Sequence, residues 1–295
     1  MELASLRYLE WKDLFNHEKP FQVLIDVPEH SEDQRQSNLT FHDGQIEKIR
    51  DARSSITDYK LDIHGFQFIR HDTKLQPNDF LSKKQVESKY LPECEALIHQ
   101  NMNNVDRVHF YNWLVRDSDP SPNEGRSINL NDPLAKLGPA RVVHIDQTSQ
   151  SAVERVLMEL PEQGEQLLRG RLQLINLWRP INGPVQMWPL ALCDGRSVSK
   201  ACLVESDRVR RNYTGGTTFI LEEPCRRWHY LSKQGVNEVT IFKNFDSKSD
   251  VTPYAPHTSF QVSSPPPNAR SRQSIEVRAM VFTYAEDDHK HGKLE

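Results

Sequence analysis

Ala140-Arg-Val-Val-His-Ile-Asp-Gln-Thr148 is the stretch from which the reading of this chain proceeds. Its β-branched run marks a short strand, and in a strand residues i and i+2 project from one face. His144 and Asp146 therefore present an imidazole and a carboxylate to the same space. A carboxylate ionised among valine and isoleucine needs a compensating partner, and a cation provides one. A second histidine from a distant strand completes a 2-His-1-carboxylate iron site. The partner expected is His257, in Ala255-Pro-His-Thr-Ser-Phe260. By itself a His-x-Asp triplet is a weak signal, and its weight depends on its surroundings.

Downstream, short strand candidates follow one another over 171–179, 187–193, 199–204, 217–222, 227–231, 238–244 and 273–283, separated by turn signals. Between them and the opening stretch, 149–170 reads as a helix capped by Ser149. Upstream the pattern is mixed. Leu3, Leu6, Leu9, Trp11 and Leu14 suggest a helix over 3–15, and 21–26 a strand. A polar surface segment comes next, and then 59–69, two short strands or one bulged strand broken at Gly65. Residues 83–103 have helical spacing interrupted at Pro92, and 106–115 form a strong strand. Residues 117–138, dense in Asp, Ser, Pro and Asn, read as a loop placed to act as a lid. The fold class is mainly β with flanking helices, a sandwich or barrel with helices packed outside. An α/β N-terminal extension over 1–115 packs on a core over 116–288, the two making one catalytic unit. Residues 289–295 are expected to be a disordered tail whose Lys293-Leu-Glu is a vector remnant.

Bulk properties narrow the function. A net charge of -4 and a pI near 6.3 give no reason to expect nucleic acid or an anionic membrane as partner. No apolar run has the length of a membrane span, and the N-terminus lacks a signal-peptide layout. Cys94, Cys193, Cys202 and Cys225 contain no C-x-x-C pair and read as reduced thiols of a cytoplasmic protein. Nucleotide-binding glycine motifs and a G-x-S-x-G elbow are absent. A small-molecule substrate is the partner expected, with a homodimer left open.

Near the C-terminus, alternation puts Arg272 and Ser274 on one face of a strand and Ile275, Val277, Ala279 and Val281 on the other. A guanidinium followed by a hydroxyl suits a dicarboxylate, because the arginine fork pairs bidentately. Arg278 shares that face and competes for the role, the alternative being an arginine paired with Glu276 or Asp288. Asn176 and Trp178 share a face and can line a pocket, although Trp178 equally suits the core. His229 reads as a packing residue, with substrate contact or spare ligand as alternatives. His64, His99 and His109 are packing or hydrogen-bonded residues; His17, His30, His42, His71, His289 and His291 belong to the surface. Asp194 and Asp246 end strands and can cap turns, and Arg208-Val-Arg-Arg211 reads as a solvated loop.

Six motifs occur in one order: His144-Ile-Asp146, Asn176-Leu-Trp-Arg-Pro180, Pro189-Leu-Ala-Leu-Cys-Asp194, Phe242-Lys-Asn-Phe-Asp-Ser247, Pro256-His-Thr-Ser-Phe260 and Arg272-Gln-Ser-Ile-Glu-Val-Arg278. With Glu18-Lys-Pro-Phe21 and Leu61-Asp-Ile-His-Gly-Phe66 upstream, the order resembles the fungal hydroxylase/desaturase family of secondary metabolism, related to gibberellin desaturase and the AsaB and CmcJ–NvfI proteins. The resemblance spans about residues 5–285. It implies a double-stranded β-helix (jelly roll, cupin-like) core and a non-haem oxygenase using Fe(II) and 2-oxoglutarate with O2 as co-substrate. By it, His144, Asp146 and His257 carry the iron, and Arg272 and Ser274 hold 2-oxoglutarate. The implied reaction is hydroxylation, desaturation or oxidative cyclisation of a natural-product intermediate by hydrogen abstraction. Two other readings stand beside it: a metal enzyme on this fold that does not use 2-oxoglutarate, and a non-catalytic binding protein.

Overall fold

The computed structural model describes residues 1–27, 29–119, 132–211 and 213–285. The tail expected over 289–295, including His289 and His291, lies outside the described residues, as do Asp288 and most of the loop expected as a lid. In chain order the strands are β1 (Glu2–Leu9), β2 (Phe21–Val23), β3 (Phe41–Asp51), β4 (Phe66–Arg70), β5 (Arg107–Asp117), β6 (His144–Ile145), β7 (Arg171–Pro180), β8 (Leu190–Cys193), β9 (Leu203–Val209), β10 (Thr214–Ile220), β11 (Trp228–Tyr230), β12 (Glu238–Asp246), β13 (His257–Ser259) and β14 (Gln273–Thr283). They form a nine-stranded sheet, β1-β3-β11-β8-β13-β6-β10-β9-β2, and a five-stranded sheet, β4-β12-β7-β14-β5. The larger sheet is mixed, with β11 parallel to β3 and β2 parallel to β9. Together the sheets make the jelly roll.

The alternation in β14 decides how the smaller sheet faces. Ile275, Val277, Ala279 and Val281 are buried under the helix Leu91–Asn101, against Cys94, Leu97 and Ile98. Each such aliphatic residue contributes about 1.5–3 kcal/mol by burial. A one-residue slip would turn Ser274, Glu276 and Arg278 onto that apolar helix instead, so the register is strongly held. The inward face then carries Ser274, Glu276 and Arg278 toward the larger sheet. β7 is buried along nearly its whole length and lies beside β14, with Asn176 opposite Arg278 and Trp178 opposite Glu276.

The helix Ser149–Glu159 begins with a reciprocal cap: Thr148 Oγ1 accepts from the Ser151 amide at 3.1 Å, and Ser151 Oγ accepts from the Thr148 amide at 3.0 Å. Thr148, not Ser149, is therefore the cap, and the helix stops at Glu159 ahead of Pro161, with a separate turn at Gly164–Leu167, instead of running to 170. Ala152 and Val156 pack on Leu174, Met280 and Phe282, which anchors the helix just after Asp146.

Several local expectations are overturned. Residues 3–15 are not a helix: β1 pairs antiparallel with β3, and only a short 3-10 turn, Asp13–Asn16, follows. Leu6, Tyr8 and Leu9 are buried while Leu3, Trp11 and Leu14 are exposed, so the apolar stripe had no partner and sheet pairing won. The polar segment contains β3, in which Ile49 alone is buried and whose ladder partners on both sides outweigh its composition. Residues 61–64 form a helical turn closed by Gly65 at φ 87°, and only then does β4 begin. Pro92 does not interrupt the 83–103 helix, because it sits in the first turn of Leu91–Asn101, after a π-helical stretch. Part of the 199–204 strand is a 3-10 turn, Lys200–Cys202.

Candidate metal centre

β6 and β13 are neighbours, and His257 pairs directly with His144. Their rings lie 4.4 Å apart between centroids. Asp146, immediately beyond β6, brings Oδ1 to 3.4 Å from His144 Nε2 and 4.0 Å from His257 Nε2. One ligand atom from each of the three residues falls within a 4.8 Å set, a metal-ligating cluster among the described residues. Each imidazole also meets a carbonyl through Nδ1, His144 to Val142 O at 2.7 Å and His257 to Ala255 O at 3.1 Å. A carbonyl only accepts, so both Nδ1 atoms carry the proton and both Nε2 lone pairs face Asp146. The donor set fits a divalent transition metal bound facially.

Asp146 is buried, and taking an ion out of water costs several kcal/mol unless it is paired. Its Oδ2 accepts from Asn176 Nδ2 at 2.7 Å and lies 3.2 Å from Arg278 Nε, while its amide donates to Asn244 Oδ1 at 2.9 Å. Burial alone would raise its pKa, but Arg278 and the two histidines outweigh burial and hold the carboxyl well below the usual range. One oxygen is thus occupied by the protein and Oδ1 is left toward the histidines. Burial, and next His144, push His257 down to about 3, so that imidazole is neutral at physiological pH.

Arg272 directly precedes β14 and is buried. Its Nη1 donates to Trp188 O at 2.6 Å and Ser259 Oγ at 3.1 Å, and its guanidinium lies 5.5 Å from the Trp178 ring centroid. Nε and Nη2 have no acceptor, and neither does the Ser274 hydroxyl. His144, Trp178, His257, Ser259 and Arg272 line one pocket. Burial, then Arg116, lowers Arg272 to about 9, which still leaves it a cation at neutral pH. Two orphaned guanidinium N–H groups, in a pocket that two residues of a metal-ligand triad also line, suit a carboxylate.

Arg278 is occupied differently, since Nη2 meets Glu276 at 2.6 Å and Nε faces Asp146. Asn176 bridges the same two carboxylates, donating to Glu276 at 3.2 Å. His229 lies outside the triad; it hydrogen-bonds Tyr59 Oη through Nδ1 at 2.9 Å within a cluster of Phe66 and Phe68, and burial drops it to about 4. Asp194 caps a 3-10 turn, whereas Asp246 joins a buried network with Arg171 and Lys243. Two surface expectations fail. His71 is bound by the buried Arg179 at 2.6 Å. Arg208 is on β9 rather than in a solvated loop, and lines a cavity. Glu276 is the partner of Arg278 that the sequence offered as the alternative to a dicarboxylate role, and alternation between Ser274 and Arg278 places it on the same face. Asn244, ninety-eight positions from Asp146, offered no local signal.

The chain matches a family described as Oxidoreductase/YMDC permease-like domain over residues 6–282. No helix among the described residues is long and apolar enough to cross a membrane. It is 30% identical over 255 residues to the Fe(II)/2-oxoglutarate-dependent dioxygenase nvfI of Aspergillus novofumigatus, covering 84% of this chain and 87% of that protein. With the hydroxylase/desaturase CTB9 of Cercospora beticola it shares 30% identity over 250 residues, 80% of this chain and 75% of the relative. A solved structure of the iron and alpha-ketoglutarate-dependent endoperoxidase NvfI superposes with a TM-score of 0.80 at 25% identity, covering 96% of this chain and 98% of that one.

Proposed function

Because the chain belongs to the family of fungal Fe(II)/2-oxoglutarate-dependent dioxygenases and hydroxylase/desaturases of natural-product biosynthesis, we propose that His144, Asp146 and His257 hold the iron and that Arg272 and Ser274 hold 2-oxoglutarate. The observation that carries this reading is the pair of orphaned Arg272 donors, Nε and Nη2, in the pocket that His144 and His257 also line. When bound, the metal and 2-oxoglutarate supply O2 activation and hydrogen abstraction from a substrate carbon.

The chain's own residues do the positioning. Val142 O and Ala255 O orient the two imidazoles, so that Nε2 and not Nδ1 is the donor atom. Asn176 and Arg278 hold Asp146 Oδ2, leaving Oδ1 as a single anionic ligand. Arg272 offers two parallel N–H groups to a carboxylate, anchored from behind by Trp188 O and Ser259. Trp178 forms a wall of that pocket, and Phe242, with its ring centroid 4.6 Å from that of His257, keeps water from the histidine's flank. On this reading residues 1–115 and 116–288 work as one catalytic unit, in the cytoplasm as the free thiols suggest. The reaction is hydroxylation, desaturation or oxidative cyclisation of a small natural-product intermediate.

Anaerobic titration of metal-free protein with Fe(II) and 2-oxoglutarate tests the assignment. A weak visible charge-transfer band should form in wild type and vanish in His257→Ala. Iron binding without any band would remove 2-oxoglutarate from the site.

A further inference from the structure

A second space, of about 140 Å³, adjoins Asp146. Asp146 and Arg278 form its floor, and Tyr111, Arg155, Arg208, Arg210 and Tyr213 its sides. Because β9 alternates, Ser206, Arg208 and Arg210 share one face. Gly215 and Gly216 on the paired β10 put no side chain in front of them.

Five arginines, Arg116, Arg155, Arg208, Arg210 and Arg278, line this space against two aspartates, Asp132 and Asp146, so its charges do not cancel. Arg278 is matched by Asp146 and Glu276, and Arg155 by Glu159 at 3.2 Å. Arg116, whose Nη1 meets only the Gly138 carbonyl, has no carboxylate within ion-pair distance among the described residues. Neither do Arg208 and Arg210. Buried donors also go unused: Nε of Arg208, Nε of Arg155, and the hydroxyls of Tyr111 and Tyr213. A buried donor without an acceptor costs about 1–3 kcal/mol, and an unpaired cation costs more. Burial and then Arg210 push Arg208 down to about 10. An anion entering the cavity relieves both.

We propose that this cavity selects a substrate carrying an ionised carboxylate, with Arg208 as its specificity-determining contact and the tyrosine hydroxyls as auxiliary donors. The substrate is then tethered by its anionic end while its remainder lies over the metal face beside Asp146. This rests on the iron and 2-oxoglutarate reading only for the claim that the bound anion is a substrate; the anion site itself does not.

The test uses two isosteric probes, 2-naphthoate and 2-naphthamide, titrated calorimetrically into metal-free protein and into the anaerobic Fe(II)/2-oxoglutarate form. The acid should bind about tenfold or more tightly than the amide in both. Arg208→Gln should abolish that preference and Arg208→Lys retain part of it, with 2-oxoglutarate affinity, read from the visible band, unchanged in either. Equal binding of acid and amide, no binding of either at millimolar concentration, or a preference that survives Arg208→Gln overturns the proposal. Loss of 2-oxoglutarate affinity in Arg208→Gln also overturns it, by assigning Arg208 to the co-substrate. An Arg208-dependent preference in metal-free protein that never forms the visible band supports the anion site and strikes the iron and 2-oxoglutarate reading instead.

Discussion

Arg278 places Nε 3.2 Å from Oδ2 of Asp146 while Nη2 reaches Glu276 at 2.6 Å. A buried cation thus stands directly behind the carboxylate that faces the two histidines. It keeps Asp146 ionised and leaves Oδ1 turned toward the two histidines. Arg278→Met should weaken Mn(II) binding about 10- to 100-fold, the size of effect seen when partners of metal ligands are removed. It should also destabilise the fold by about 3–5 kcal/mol, because two buried carboxylates lose a partner. Calorimetry of Mn(II) binding checks the first, and an unchanged affinity would make the pair a packing device only.

Arg272 should separate cleanly from the metal. Arg272→Lys keeps the charge but loses the fork, so 2-oxoglutarate affinity should fall about tenfold or more while Mn(II) affinity stays within about twofold. Band intensity against 2-oxoglutarate concentration gives the first value. Undiminished 2-oxoglutarate affinity would leave the orphaned donors of Arg272 without a ligand.

Acid should destabilise the metal-free protein through two histidines. Folded His257 sits at about 3 and His229 at about 4, both lowered by burial, against about 6.5 for an unfolded histidine. Between those values the unfolded chain binds more protons. The stabilisation is therefore complete above about pH 6.5 and is lost as pH falls, by about 1.4 kcal/mol per unit for each histidine down to its folded value, so that the total loss is smaller for His229. Urea midpoints measured from pH 7 to 5 should show this slope, reduced in His229→Phe. A flat profile in both proteins would mean that the imidazoles charge without penalty.

Lys243 is fully buried between Asp62 and Asp246, and the latter also accepts from Arg171 at 2.9 Å. Lys243→Met should cost about 3 kcal/mol, the low end for a broken buried pair, because Arg171 still serves Asp246. Denaturant unfolding measures it. A cost under about 1 kcal/mol would show that Arg171 suffices to neutralise the site.

Local chemistry in the chain was enough for the fold class, the helix after Asp146, the alternating last strand and three chemically matched residues, His144, Asp146 and His257. Alternation is a property of the strand backbone itself, so the inward set of Ser274 and Arg278 is legible in the sequence alone. The N-terminal strands are not, since a short apolar run such as Leu3 to Leu14 satisfies helix and strand alike until a partner is present. Only the tertiary structure separated the surroundings of Arg272 and Arg278: both lie on one face, but Arg278 is paired with Asp146 and Glu276, whereas Arg272 has no carboxylate partner among the described residues. It also turned Arg208 from a solvent-facing basic run into the wall of a cavity. Charge compensation depends on neighbours brought from distant strands, and no spacing along the chain records them.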